Sequence, residues 1–174
     1  PFNNLTGDPD QVYFSDGITE EIITALSKVP KVFAIARNSV FTYKGKPVKI
    51  KQVAEELGVR YVLTGSIRKA GNNIRITAQL VDAISGHHLW AERYDRDLNE
   101  IFAVQDELTK KIITAMQVEL TEGEQARVDA KGTNNLEAYL KYLKARENIN
   151  KLNAEGNALG KELAQQAIDL DSQF

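Results

Sequence analysis

Hydrophobic and polar positions alternate most regularly between Val59 and Tyr94. Two long runs and a shorter third one are separated by breaks rich in Gly, Asn and Ser. This is the sequence pattern of a three-stranded antiparallel meander. A turn at Ala70-Gly71-Asn72-Asn73 pairs Lys69 with Ile74. That register predicts Ile67 opposite Ile76, Gly65 opposite Ala78 and Leu63 opposite Leu80, all on one face. The other face then carries Arg68 opposite Arg75, Ser66 opposite Thr77 and Thr64 opposite Gln79. Closure around Ile84-Ser85-Gly86 sets Trp90 beside Leu80 and Tyr94 beside Ile76, extending the apolar face. Such a face needs helices to cover it.

The flanking segments read as the source of those helices. Pro1 to Leu5 is expected to follow a first strand lying upstream, and Thr6 to Asp10 is a turn by composition. Ser15 or Asp16 is expected to cap a helix beginning near Ile18, whose apolar positions Ile18, Ile22, Leu26 and Val29 precede a stop at Pro30. Val32-Phe33-Ala34-Ile35-Ala36 is continuously apolar, the signature of a strand buried on both faces. A helical turn at Ser39–Tyr43 and a helix through Ile50, Val53, Ala54 and Leu57, ended by Gly58, follow. Beyond the meander, Asp97 and Glu100 form a capping-box-like pair for a long helix. Its stripe runs Leu98, Ile101, Phe102, Leu108, Ile112, Ala115, Met116 and Leu120, ending near Gly123. Two more helical patterns cover Leu136–Ile149 and Glu155–Leu170. The expected fold is therefore α/β, a layered domain with a mixed sheet containing the meander, followed by an α-helical hairpin. The expected boundaries are 1–121 for the α/β domain with its first strand truncated, 122–134 for a polar linker, and 135–174 for the hairpin.

Charge changes this picture by its distribution, since the net value is only −2. Residues 1–27 hold five acids (Asp8, Asp10, Asp16, Glu20 and Glu21) and no base, whereas residues 28–75 hold eleven Lys/Arg against Glu55 and Glu56 alone. A basic block of this kind suits an anionic partner, but it lacks the clustered aromatics or recognition motif of nucleic-acid binders. Nucleic acid is accordingly disfavoured, and solvated faces neutralised by acids folded nearby are the preferred reading. The chain has no cysteine, which excludes disulfides, thiol catalysis and thiolate metal sites. It has no apolar run long enough to span a bilayer.

Few residues carry chemistry. His87 and His88 are strand neighbours that point to opposite faces, so they cannot jointly chelate a metal. Asp16-Gly17 is a ligand-binding candidate at the carboxyl edge of an α/β sheet, although a capping role is preferred. Lys44-Gly45-Lys46 resembles a phosphate cradle without the strand-to-helix context of a P-loop, and a surface turn is the simpler account. Thr64-Gly65-Ser66 lies in mid-strand with no histidine to activate the serine. Gly65 opposite Ala78 is expected to give a crossing helix close access to the sheet. Arg68 opposite Arg75 breaks a local rule, because like charges across a strand pair repel. Either acids such as Glu92 or Asp95 screen them, or they await an anionic or acidic partner. The candidate ligand- or partner-binding residues are thus Arg68, Arg75, Asp16, Lys44 and Lys46. No catalytic residue, metal ligand or cofactor is assigned.

Two stretches carry a family resemblance. From PFNNLTGDPDQVYFSDGITEEIITALSKVPKVFAIARNSVFTYKGKP through ELGVRYVLTGSIRKAGNNIRITAQLVDAISGHHLWAERYDRDLNEIFAVQDEL, the chain resembles the TolB amino-terminal-like domain. Gly160, Ala164 and Ala167, with the closing Leu170-Asp171-Ser172-Gln173-Phe174, resemble the second helix of a tetratricopeptide repeat; Ser172 stands where that repeat carries proline. The first resemblance implies a bacterial signalling protein in which such a domain lies between an output domain and a repeat array. The implied output is a class III adenylate/guanylate cyclase or a winged-helix DNA-binding domain. It also implies a non-catalytic sensory or interaction module, protein partners through the repeat-like helices, and a homodimer if the output is a cyclase. The compartment, periplasmic or cytoplasmic, would follow from an upstream membrane segment. A small enzyme using the carboxyl edge of the sheet is the alternative from a different class.

Overall fold

The structure, a computed structural model, describes residues 1–116 and 132–174. Its centre is the meander: β2 (Tyr61–Ala70), β3 (Asn73–Asp82) and β4 (His88–Asp97), preceded by a two-residue strand β1 (Asn3–Asn4). Among the described residues these make one mixed sheet in the order β1-β2-β3-β4, with β1 parallel to β2 and the rest antiparallel. Every cross-strand pair expected from the alternation is present, from Lys69–Ile74 to Leu63–Leu80, and Trp90 and Tyr94 lie beside Leu80 and Ile76. A register shift at Leu80/Val81 lets His88 pair with Val81 while Trp90 keeps Leu80, so the strand absorbs one extra residue without turning its apolar face outward.

Four helices accompany the sheet: α1 (Val12–Ser27), α2 (Arg37–Phe41), α3 (Ile50–Leu57) and α4 (Ile101–Ala115). The hairpin α5 (Leu136–Ile149) and α6 (Ala154–Leu170) completes the described elements. The core is continuous: Ile67, Ile74, Ile76 and Tyr94 of the sheet meet Phe14 and Ile18 of α1 and Ile101, Val104 and Leu108 of α4. Tyr139 and Leu143 of α5 join the same cluster. Burying each such aliphatic side chain stabilises the fold by about 1.5–3 kcal/mol. Within the hairpin, Gly160 permits contact: a Cβ there would lie 2.6 Å from Ile149 and 3.0 Å from the Ala145 carbonyl.

Several expectations are corrected. Helix α1 begins at Val12, after a 3-10 turn at Pro9–Gln11 whose cap is Asp8, so Ser15 and Asp16 sit inside the helix and cap nothing. Pro9 starts that turn because its fixed φ suits a first helical position. Residues 32–36 form no strand, and Phe33 is 92% exposed. An apolar run cannot join a ladder unless a strand with a free edge lies beside it, and β1 offers only two residues. Within Pro1–Leu5, Asn3–Asn4 form the short strand β1. Beside Gly65 lies the Phe2 ring rather than a crossing helix, 3.0 Å from where a Cβ would stand. Asp97 caps not α4 but the 3-10 turn Leu98–Glu100 before it, accepting from Asn99 N–H at 2.8 Å, and Glu100 faces Arg96 instead of closing a capping box. Leu120, Gly123 and the linker as far as residue 131 lie outside the described residues.

The β3–β4 turn is held by a single carboxylate. Asp82 accepts from Arg60 Nη2 at 2.8 Å and Nε at 3.1 Å, and from the Ile84 N–H at 2.9 Å. Its side chain is 7% exposed. The Arg60 hydrogen bond, reinforced by the Ile84 and Ser85 amides, holds the Asp82 carboxyl below the usual carboxylate range. A carboxyl so depressed stabilises the fold above its unfolded pKa of about 3.9, and that contribution disappears as pH falls through the lower folded value. Asp82→Asn should therefore flatten the acid limb of the stability curve, as read by urea unfolding from about pH 5 down to about pH 2.

Candidate functional site

The candidate residues separate into two groups in space. Arg68 and Arg75 do face each other on the side of the sheet away from the helices. Their conflict is largely relieved: Arg75 Nε donates to Asp95, which Arg93 also approaches at 3.0 Å, and Arg68 Nε reaches the Leu5 carbonyl at 3.3 Å. Glu92 takes no part. It lies on the helix side of β4, accepting from Trp90 Nε1 and the Tyr94 hydroxyl. Lys46 sits in the loop before α3, near Glu56. Asp16 and Lys44, however, meet: Lys44 Nζ lies 2.6 Å from Asp16 Oδ2, while Asp16 Oδ1 is buried with no hydrogen-bond partner among the described residues.

That pair belongs to a larger cluster whose centre is Glu20. Asp16 and Glu20 stand four residues apart on α1 and so share one helix face. The Glu20 side chain is only 4% exposed, and its two oxygens face two guanidiniums, Arg37 Nε from α2 and Arg146 Nη2 from α5. Each guanidinium is itself braced by an aromatic ring. Arg37 stacks 4.0 Å above the centre of Phe41. Arg146 lies 5.4 Å from the centre of Tyr142 and donates to its hydroxyl at 2.9 Å. Arg146 also approaches Glu21 at 3.6 Å. Burial drives the Glu21 carboxyl above its ordinary value, Arg146 opposing the shift and Glu20 adding to it. Between α1 and α5 a cleft of about 200 Å³ opens onto Asp16, Glu20, Arg37 and Arg146.

The helices can come this close because of Gly17. A Cβ at that position would lie 2.5 Å from Leu143 Cδ2 and 2.9 Å from its Cγ, so any side chain here would force Leu143 to shift where α5 rests on α1. Asp16-Gly17 therefore contributes through a contact between helices, with the carboxylate turned toward Lys44. The sequence reading missed Glu20, Arg37 and Arg146. No signal within α1 identifies them: Phe14, Ile18 and Ile22 mark one apolar stripe, and Glu20 leaves water only because α2 and the hairpin cover its flank.

Chemically, the arrangement fastens rather than reacts. Glu20 Oε1 accepts from Arg37 Nε, and Oε2 lies against Arg146 as an ion pair without a hydrogen bond; the described residues include no group of three or more His, Cys, Asp or Glu arranged to hold a metal. What the cluster joins is the sheet-covering helix α1, the loop-borne α2 and the hairpin helix α5.

Comparison with known proteins identifies a family. The family described as "HilA/YgeH-like transcriptional regulator, second domain" matches residues 1–114. The chain is 52% identical over 171 residues to the protein named "Putative adenylate cyclase 3" of Rhizobium meliloti (strain 1021). That match covers 98% of this chain and 29% of the relative, so the chain spans under a third of the relative's length. Among solved structures it is similar to TolB from Acinetobacter baumannii, at 19% identity and a TM-score of 0.49, over 67% of this chain and 26% of that one. It is also similar to lipoprotein GNA1162 from Neisseria meningitidis, at 19% identity and a TM-score of 0.47, over 70% of this chain and 95% of that one.

Removing one partner of a buried ion pair strands the others. Glu20→Gln should cost about 3 kcal/mol, the low end for such a loss because both guanidiniums keep some contact with water. Replacing Glu20, Arg37 and Arg146 together by methionine should cost less, since the Glu20 carboxylate goes with both its guanidiniums and only the part-exposed Glu21 loses a neighbouring cation. Urea unfolding of the two variants checks the order. In the same assay Gly17→Ala should destabilise, even though alanine gains roughly 1 kcal/mol of helix propensity, because Leu143 must move.

Proposed function

Because the chain belongs to the HilA/YgeH-like transcriptional regulator second-domain family, we propose that it is a non-catalytic regulatory module that sets the arrangement of an attached output domain. In this reading the output domain is an adenylate or guanylate cyclase. The identity to the Rhizobium relative, which extends over nearly the whole chain, supports that choice. The observation that carries the reading is the double pairing of Glu20. One buried carboxylate ties the α/β layer to the helical hairpin, so an event that moves α5 must either drag α1 along or break two ion pairs. Element pairs joined in this way have discrete arrangements, which is what coupling between sites requires.

The hairpin is the sensing end of the device in this proposal. Its helices have tetratricopeptide-like small residues on the inner face, and Leu159, Ile168 and Leu170 leave α6 with exposed apolar side chains. Repeat helices of this kind cannot bury their own faces and stack on a following repeat or a protein partner. The natural division is then an α/β unit over residues 1–121 and a repeat-like unit over 135–174. A second reading keeps the module and changes the output to a DNA-binding domain. The family's description as part of a transcriptional regulator favours it.

The test uses the full-length protein. Arg146→Met removes the α5 side of the junction, and cyclic-nucleotide formation should shift by about fivefold or more toward the rate of the protein lacking residues 135–174, the scale of ordinary allosteric coupling. An unchanged rate, in a variant whose unfolding curve shows that the junction has been weakened, would sink the coupling role. Should the protein make no cyclic nucleotide but bind DNA, the same comparison is made on DNA affinity.

A further inference from the structure

Strand β4 ends the sheet on the side away from β1, and among the described residues no strand lies beyond it. Its backbone groups divide by alternation. The Leu98 N–H donates to the Asn72 carbonyl at 2.7 Å, and Asp97 stands opposite Asn73. In an antiparallel ladder this turns the amides and carbonyls of Glu92, Tyr94 and Arg96 toward β3. Those of Ala91, Arg93, Asp95 and Asp97 face outward. The Asp95 carbonyl accepts from the Arg96 side chain at 3.1 Å rather than from a strand. The bulge at Leu80/Val81 touches only the start of β4, so Ala91–Asp97 is a regular edge. Neither proline nor glycine interrupts it.

Charges along this edge follow an order that a second copy can match. Glu92-Arg93-Tyr94-Asp95-Arg96 carries opposite signs at equal distances on either side of Tyr94. We propose that the chain forms a homodimer through β4, paired antiparallel about a two-fold axis at Tyr94. Arg93 then stands opposite the partner's Asp95, and Glu92 opposite the partner's Arg96. The outward-facing groups fit this register. Arg93 with the partner's Asp95, and Ala91 with the partner's Asp97, become hydrogen-bonded pairs, while Tyr94 meets its counterpart at a position without hydrogen bonds. Opposed residues share a face, and the axis leaves the helix-bearing face of both copies on one side. The dimer is thus one continuous sheet with all its helices on that side.

Neighbouring registers fail on charge. Centring the pair on Glu92, Arg93, Asp95 or Arg96 opposes that charge to itself, and like charges directly opposite are destabilising. Charges on an edge strand discourage pairing with foreign strands, but their order here admits a copy of the same strand. In the single chain Arg93 lies 3.0 Å from Asp95, and Lys111 of α4 lies 3.9 Å from Glu92. Pairing leaves Asp95 with Arg75 on its own sheet and the partner's Arg93 on its other side. Such an interface uses the same patch on both copies, so assembly closes at two. This holds whatever output domain the protein carries.

Sedimentation of the chain, residues 1–174, tests the interface. A monomer–dimer equilibrium is expected, and Arg93→Asp should weaken it about tenfold or more, because Asp then opposes Asp on both sides of the axis. Asp95→Arg should weaken it likewise. An equimolar mixture of the two variants should dimerise again, since each supplies the charge that the other lacks. A chain that stays monomeric at about 1 mM, the weak end of specific association, overturns the proposal. So does a dimer that Arg93→Asp leaves unchanged, a mixture that restores nothing, or assembly that grows past two copies. Where Asp95→Arg fails to fold because Arg75 loses its acid, Arg93→Pro decides instead. The Arg93 N–H faces outward, so proline there leaves the β3 ladder paired and removes a donor from the interface. A dimer that survives Arg93→Pro rejects the β4 edge.

Discussion

Cover for one apolar sheet face is the constraint on which the rest of this structure depends. Ile67, Ile74, Ile76 and Tyr94 cannot be left in water, and α1 and α4 lie on them through Phe14, Ile18, Ile101 and Leu108. The two helices then present a second surface, on which α5 settles through Tyr139 and Leu143. Helix α1 is consequently enclosed from both sides. An acid on it is removed from water by the hairpin's arrival, and the cost is offset only if the hairpin and the neighbouring loop bring cations. Arg146 and Arg37 do so. The electrostatics of the junction thus follow from the packing of the core.

The uneven charge of the chain finds its explanation at the same place. Arg37 and Lys44 of the basic middle block meet Glu20 and Asp16 of the acidic first segment. Arg60 and Arg75 meet Asp82 and Asp95, acids that lie later in the chain. Much of the apparent surplus is therefore settled inside the fold. The sheet's outer face, where Arg68, Arg75 and Arg93 surround one Asp95, remains basic but not unpaired. Pairs fixed between elements are shielded from screening, whereas charges on an open face respond mainly to ionic strength.

Local conflict proved a poor guide to the site, and burial a better one. Arg68 opposite Arg75 attracts notice because the clash is visible in a register readable from sequence, yet an acid on the next strand relieves it. Glu20 attracts none, since an acid after Ser15, Asp16 and Gly17 looks like ordinary helix-start polarity. Its importance depends on α5, which lies more than a hundred residues further along the chain. No periodicity within α1 reveals that its polar flank will be covered as well.

What the sequence determined by itself was whatever short-range rules control. The period-two alternation and the turns at Gly71 and Ile84–Gly86 set the β2–β3 register and the β3–β4 register as far as Leu80–Trp90, but not the shift beyond it. Gly58 ended α3 in the left-handed region at φ 66°, and the period of apolar residues marked the two hairpin helices. Tertiary structure decided where distant segments competed for the same surface. The run at 32–36 has the composition of a buried strand but no strand pairs with it, so it stays outside the sheet. The earlier start of α1, the approach of Leu143 over Gly17 and the placing of Glu20 between two arginines depend in the same way on elements far apart in the chain. Side-chain alternation is a property of a strand, whereas a neighbour is a property of the fold.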